Sequence, residues 1–405
     1  MNKHGKILSG ALVALLASTA LAVAQDQSIS FVECGDTPSP VHLDTIKKWE
    51  AANPGFKVEV EVVGWGQCQN KVTTLAVAGT PVGLAYIGSR ALKQLAANDL
   101  IVAMPMSDAE KAAYYNYIPD TVTFDGTQWG SPVAFSTKAL YWNKDLFKEA
   151  GLDPEKPPVT WAEEIADAKA IAENTDAAGF GVVAKTFDNT MHQFLHWVYT
   201  NGGSVIDADG NITLDSKNNL EALTALKDIT AYAEEGPTAY EQNEVRAIFL
   251  DGKLGMIHAA SGTRNLMADV PFDWGVSLLP LGPEAKGPGT LLITDSMAVF
   301  KGTGYEDKAV DLAKFLTNPE NQTAYEEEQG LTPLRPGPVV DAMVAKDATW
   351  KPFLDSIEYG GPEPLLTDYV GLQNTMIEMV QSVVTGAAEP QDALTKAAAA
   401  LEEFK

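Results

Sequence analysis

Apolar and polar residues alternate with a period of two over FKVEVEVVGW (56–65), the signature of a strand with one covered face. Upstream, SISFVEC (28–34) reads as another strand, followed by a helix around HLDTIKKWEAAN that Pro54-Gly55 ends. A helix near QNKVTTLAVAG and a short apolar run, GLAYIG (83–88), come next. Strand, helix, strand, helix, strand is the rhythm of a parallel sheet covered by helices. Ligands of such sheets sit beyond the carboxyl ends of the strands. Here those ends carry Gly35-Asp36, Trp65-Gly66-Gln67 and Ser89-Arg90.

The texture changes after WGSPVAFSTKALYWNKDLF (129–147). PEKPPVTWAEEIADAKAIAEN is a proline-rich loop and then a helix, with Thr160 as N-cap and Glu163 completing a capping box. GFGVVA is a strand, DADGN a turn, and a long helix runs from about Asn218 to Glu235. FLDGKLGMIHAASG (249–262) reads as helix end, turn and strand; FDWGVSLLPLGP and LLITDSMAVF are further strands. A helix over YEDKAVDLAKFLTNPENQTAYEEEQ, a break at GLTPLRPGP and a helical tail complete the chain. With no fixed-period repeat and no low-complexity linker, the pattern predicts two α/β lobes without a flexible tether.

The first residues alter where this fold must work. MNKHGK followed by ILSGALVALLASTALAV, with Ala22-Val23-Ala24 at its end, has the layout of a secretory signal peptide over residues 1–24, cleaved after Ala24. No later apolar run is long enough to span a bilayer, so the expectation is an exported, soluble protein. The formal charge of −25 repels phosphates and anionic lipid, which excludes nucleic acid and membrane surfaces as partners. Two cysteines, Cys34 and Cys68, are either one disulfide or two buried thiols, and an oxidising compartment favours the bridge.

Motifs for chemistry are scarce. GFGVVA (179–184) matches G-x-G-x-x-A in letters, yet its glycines follow a helix and sit inside a strand, which is wrong for a dinucleotide site. DADGNITLDSKN (207–218) lacks the glycine and the bidentate glutamate of a calcium loop and reads as a hairpin turn. Phosphate-loop, nucleophile-elbow and zinc-protease signatures are absent, so the reading is no enzyme and no cofactor. His192 and His196 in MHQFLHWVYTNGG stand four apart on one helix face, but a zinc site needs a third and usually a fourth ligand. Asp188 and His258 are the available ones, and nothing fixes either, so no metal is assigned.

Several segments together resemble the family 1 extracellular solute-binding proteins, the sugar-binding components of ABC importers. They are IKKWEAANPGFKVEVEVVGW, the AVAGTP turn, ALYWNKDLFKEAGL with PPVTWAEE, FLDGKLGMIHAASG, DWGVSLLPLGP, KAVDLAKFLTNPENQ and GLTPLRP, in the family's order across nearly the whole chain. The resemblance implies an α/β, periplasmic-binding-protein-like fold of two lobes joined by crossing hinge strands, with the ligand cleft between them. The N-terminal lobe would hold 25–135 and 286–335, and the C-terminal lobe 136–285 and 336–405. Crossings would fall at Phe135–Lys138, Pro283–Lys286 and Leu334–Pro336.

Asp36, Tyr86, Ser89 and Arg90 stand at stations resembling the family's ligand contacts, as do His192 and Gln193 on the opposite side. Trp65, Gln67, Tyr141, Ser261, Arg264 and Arg335 are further candidates, whereas Trp142, Trp161, Trp197 and Trp274 belong to the core. The implied function is a monomeric receptor that delivers a carbohydrate or polyol to an inner-membrane ABC permease. Two departures bear on the ligand. Val82-Gly83 replace the usual proline and acid, and Ser261-Gly262-Thr263-Arg264 stand where a stacking tryptophan is common. An arginine there favours a smaller, more polar or anionic ligand. The alternatives are therefore an anionic polyol, such as a glycerol phosphodiester or sulfonated sugar clamped by Arg90, Arg264 or Arg335, and an exported glycoside hydrolase.

Overall fold

The computed structural model describes residues 27–115, 117–207 and 209–404. The leader and its cleavage point lie outside them. The chain opens with β1 (Gln27–Cys34), α1 (Pro40–Ala52), β2 (Phe56–Val63), α2 (Trp65–Val77) and β3 (Leu84–Gly88). β1 pairs in parallel with both β2 and β3. β2 alternates between half-buried and exposed positions as its sequence demands, while β3 is buried throughout. The remaining strands of this sheet come from far along the chain. They are β4 (Ser131–Ser136), a long strand at Leu291–Val299 and a short one at Gly361–Pro362.

The second sheet is built from β5 (Lys138–Asn143), β6 (Ala178–Phe180), β7 (Leu254–Ala260) and β8 (Trp274–Ser277), in the order β8-β5-β7-β6. The long strand of the first sheet is thus β9 and the short one β10. Around the second sheet pack α3 (Trp161–Asn174), α4 (Asp188–Thr200), α5 (Lys217–Thr230) and α6 (Gln242–Leu250). α7 (Glu306–Leu316) and α8 (Pro319–Gln329) return to the first sheet, and α9 (Tyr369–Val384) and α10 (Pro390–Leu401) cover the second. The architecture is two α/β lobes. Among the described residues no helix is long and apolar enough to cross a membrane.

The capping box forms as expected: Thr160 Oγ1 accepts from Glu163 N at 3.3 Å, and Glu163 Oε2 accepts from Thr160 N at 3.1 Å. At the acidic turn, Asp207 Oδ1 accepts from the backbone N–H of Asp209 and Asn211, which folds the carboxylate inward as a turn brace. The glycines of GFGVVA serve close packing, since a Cβ on Gly179 would lie 2.0 Å from Ala168 O on α3. α5 ends at Thr230, short of the expected Glu235, because residues 231–236 turn back and Tyr232 O accepts from Gly179 N.

The two lobes are joined where the sheets exchange strands. β4 belongs to the first sheet and β5 to the second, with only buried Thr137 between them. β9 makes the second exchange by itself. Leu291 and Ile293 pack with Trp197 and Met191, whereas Met297 and Val299 pack with Ile29 and Phe31. This differs from the crossing expected at Pro283–Lys286. Those residues lie against the end of α4, where Asn201 Oδ1 accepts from Glu284 N at 2.8 Å. The density of proline and glycine there marks a turn. Leu334 packs with Phe135 and Leu292, beside both of the other exchanges.

Candidate functional site

A cavity of about 560 Å³ opens beyond the carboxyl ends of β1 and β3, where the open α/β sheet was expected to hold its ligand. One wall comes from the first lobe: Gly35 and Asp36 after β1, Trp65 at the start of α2, Tyr86 and Arg90 at the end of β3, and Asp295 in β9. The opposite wall comes from the second: Lys138 at the start of β5, Asp188 and His192 on α4, Glu241 and Arg246 around α6, and Ala260, Gly262, Thr263, Asn265 and Leu266 at and after the end of β7. Cys34 and Cys68 form a disulfide with a Cα–Cα distance of 5.6 Å, which fastens the end of β1 to the first turn of α2. Trp65 packs edge-on to Tyr86 at 5.5 Å between ring centres, and Tyr86 meets Tyr325 in the same way at 6.3 Å. That gives the first-lobe wall an aromatic flank for a C–H face.

The floor is ionic. Arg90 Nη2 donates to Asp188 Oδ2 at 2.6 Å, and Nη1 lies 3.4 Å from both Asp295 Oδ1 and Glu363 Oε2. His192 Nε2 donates to Glu363 Oε1 at 2.5 Å, and Tyr86 OH donates to Asp295 Oδ2 at 3.4 Å. Burial works against the charge on Asp188, but Arg90, His192 and hydrogen bonds outweigh it and hold the carboxyl below its ordinary range. Burial pushes Lys138 down to about 8, helped by Arg246 and opposed by the carboxylates. Arg246 is drawn down chiefly by burial and faces Glu241 and Asp36 across the mouth.

Asp295 is pushed up to about 7, first by burial and then by Glu363 and Asp188, with Arg90 and His192 pulling the other way. The folded protein therefore holds this proton where the unfolded chain, titrating near 4, does not. The associated stability is complete below the ordinary carboxylate range and is lost as pH rises through about 7. Between about pH 5 and pH 8 the unfolding free energy of the native protein should fall by about 2 kcal/mol relative to Asp295→Asn. Parallel pH profiles of the two proteins in urea would refute this assignment.

Of the residues singled out from sequence, the structure brings Asp36, Trp65, Tyr86, Arg90 and His192 to the cavity. The others are placed elsewhere. Gln193 is rotated one step round α4 and is held by the backbone, accepting from Val183 N at 2.8 Å and donating to Gly181 O at 3.1 Å. Ser89 is paired with Ser296 at 2.7 Å, Ser261 with Thr332 at 3.3 Å, and Tyr141 OH donates to Ala260 O at 3.1 Å within the core. Gln67 is exposed on α2. Arg264 lies 4.0 Å over the Trp350 ring and is paired with Asp347. Arg335 lies 4.1 Å over Tyr114, beside a separate cavity of about 130 Å³. Neither arginine is available as an anion clamp in the main cavity.

His196, partner of His192 in the sequence motif, points away from the floor into the core. Its ring centre is 6.3 Å from that of His258, and burial holds it well below the ordinary histidine range, hence neutral. Sequence reasoning missed Lys138, Glu241, Arg246, Asp295 and Glu363. Asp295 left a signal: it is the one charged residue in the apolar strand LLITDSMAV. Glu241 and Arg246 left none.

Residues 38–323 match the family described as bacterial extracellular solute-binding protein. The protein BAB2_0491 of Brucella abortus (strain 2308) is 28% identical over 402 residues, 97% of this chain and 96% of that one. The sn-glycerol-3-phosphate-binding periplasmic protein UgpB of the same strain is 30% identical over 236 residues, 54% of this chain and 52% of its own. Among solved structures, an ABC transporter solute-binding protein from Thermotoga lettingae TMO bound with alpha-D-tagatose has a TM-score of 0.83 at 23% identity. The match covers 94% of this chain and 100% of that one.

Proposed function

The chain belongs to the bacterial extracellular solute-binding protein family, and from that premise we propose that it captures a neutral carbohydrate or polyol between its lobes for an ABC importer. The observation that carries the choice of ligand is electrostatic. Arg90, the most deeply set cation of the cavity, is already surrounded by Asp188, Asp295 and Glu363. Arg246 faces Glu241 and Asp36. Both arginines of the cavity thus already face carboxylates, which disfavours an anion beside either of them. Hydroxyl groups can both donate to carboxylates and accept from guanidinium, so a polyhydroxylated neutral ligand suits this wall.

A cavity of about 560 Å³ suits a small sugar or polyol more than a long oligosaccharide. The anionic alternative draws support from the relative named for sn-glycerol-3-phosphate, but that match spans about half of each chain. Of the three arginines that alternative could use, Arg264 and Arg335 lie outside the cavity, and Arg90 is already paired with carboxylates. We read the protein as a periplasmic monomer that hands its ligand to a membrane permease and performs no covalent chemistry. Binding closes the lobes because ligand contacts on both walls favour the closed form.

The test is thermal unfolding of the mature protein against neutral monosaccharides and polyols, glycerol phosphate, glycerol phosphodiesters and chromogenic glycosides. A ligand at a hundred times its Kd should add about 2.7 kcal/mol of stability. A shift confined to neutral sugars or polyols is expected. A shift confined to the phosphates would reject the neutral ligand, and turnover of a glycoside would reject the receptor.

A further inference from the structure

Arg90 does something that its neighbours on β3 do not. It leaves the first sheet directly after Gly88 and is almost wholly buried. Its shortest bond crosses to Asp188, the first residue of α4, whose apolar face belongs to the core of the second lobe. Glu363, which follows β10 and leads into α9, meets the same guanidinium and is held in place by His192 of α4. Asp295, on β9 beside β3, supplies the anchor on Arg90's own side at 3.4 Å.

This arrangement has a direction. The Asp295 contact lies within one sheet and survives any rotation of the lobes, so it keeps the guanidinium aimed. The 2.6 Å bond to Asp188 joins the lobes and needs no ligand to complete it. Gly88 is part of the device, because a Cβ there would lie 2.3 Å from Arg90 Nη1. Only glycine lets the side chain fold back across the strand end.

We propose that Arg90 is a positioning residue for lobe closure, a cation from one lobe that docks on Asp188 of the other, beside Glu363, and gives the unliganded receptor a substantial closed population. The proposal rests on the two-lobe capture reading, but it concerns the empty protein. A ligand then meets a site in which part of the closing contact exists already. Its apparent affinity rises with the fraction of receptor that is binding-competent.

The experiment is small-angle scattering of the ligand-free protein, native against Asp188→Asn and Gly88→Ala. Asp188→Asn keeps the shape of the side chain and removes its charge; Gly88→Ala leaves every charge and displaces the guanidinium. Both variants are expected to show a larger radius of gyration and a longer maximum dimension than the native protein. Their melting transitions should remain single and cooperative. Identical scattering from all three folded proteins would overturn the proposal, as would a change in melting temperature alone. No ligand is used, so the outcome is independent of the sugar panel. If no sugar or polyol binds but the variants open, the ligand reading fails and the closure device stands.

Discussion

Replacing Trp197 by alanine is expected to remove about 3–5 kcal/mol of stability, the loss typical of a large aromatic side chain excised from a close-packed core. Trp197 has no exposed surface and sits among Trp161, Phe180 and His258, with ring centres 5.2, 6.3 and 5.7 Å away. Among the described residues its indole N–H has no hydrogen-bond partner, so the contribution is chiefly packing. Trp197→Phe should therefore restore much of the loss. The effect will reach the cavity as well, because the same helix carries Asp188 and His192 on its floor. Denaturant unfolding gives the number directly. A cost below about 1 kcal/mol would mean that the surrounding helices collapse into the vacated space, and that α4 is less firmly held than its burial implies.

The second large effect is expected from the disulfide. Cys34 and Cys68 are 34 positions apart, and in the chain-entropy model a loop of that size contributes about 3–4 kcal/mol by restricting the unfolded state. Both residues are buried among Val72, Ala85 and Ile87, so alanine is the suitable replacement at each. The double variant Cys34→Ala/Cys68→Ala should unfold at lower denaturant, and reductant should bring the native protein close to it. The same bridge sets the end of β1, where Asp36 enters the cavity wall, so ligand affinity should weaken in parallel. A reductant-insensitive native protein with an unshifted double variant would show that packing, not the cross-link, holds this corner.

The legible parts of this protein were those set by local pattern. The alternation of FKVEVEVV and the fully apolar LAYIG specified β2 and β3, and the rule that ligands sit beyond strand ends then pointed to Asp36, Trp65 and Arg90, which line the cavity; Tyr86 was indicated by the family resemblance alone. What pattern leaves open is where a long side chain turns after leaving the backbone. Arg264 and Arg335 each lie over an aromatic ring that sequence distance hides, Trp350 far along the chain from Arg264 and Tyr114 at 221 positions from Arg335. Gln193 failed for a simpler reason, since consecutive residues on a helix differ by about 100° and only His192 faces the cavity. The ionic floor was the least legible feature. Arg90, Asp188, Asp295 and Glu363 come from four separate stretches, and their meeting is a product of topology.

β9 lies between β3 and β4 in the first sheet, yet it is made after the whole of the second sheet. A chain synthesised from its N-terminus therefore carries the first sheet with its middle missing until residue 299 has emerged. The three early strands are left with an unpaired edge, and pairing across so long a stretch of sequence is slow. For a member of an extracellular family this delay is useful. A polypeptide whose first sheet must wait for a late strand stays extended for longer, and an extended chain is the form that fits a narrow channel.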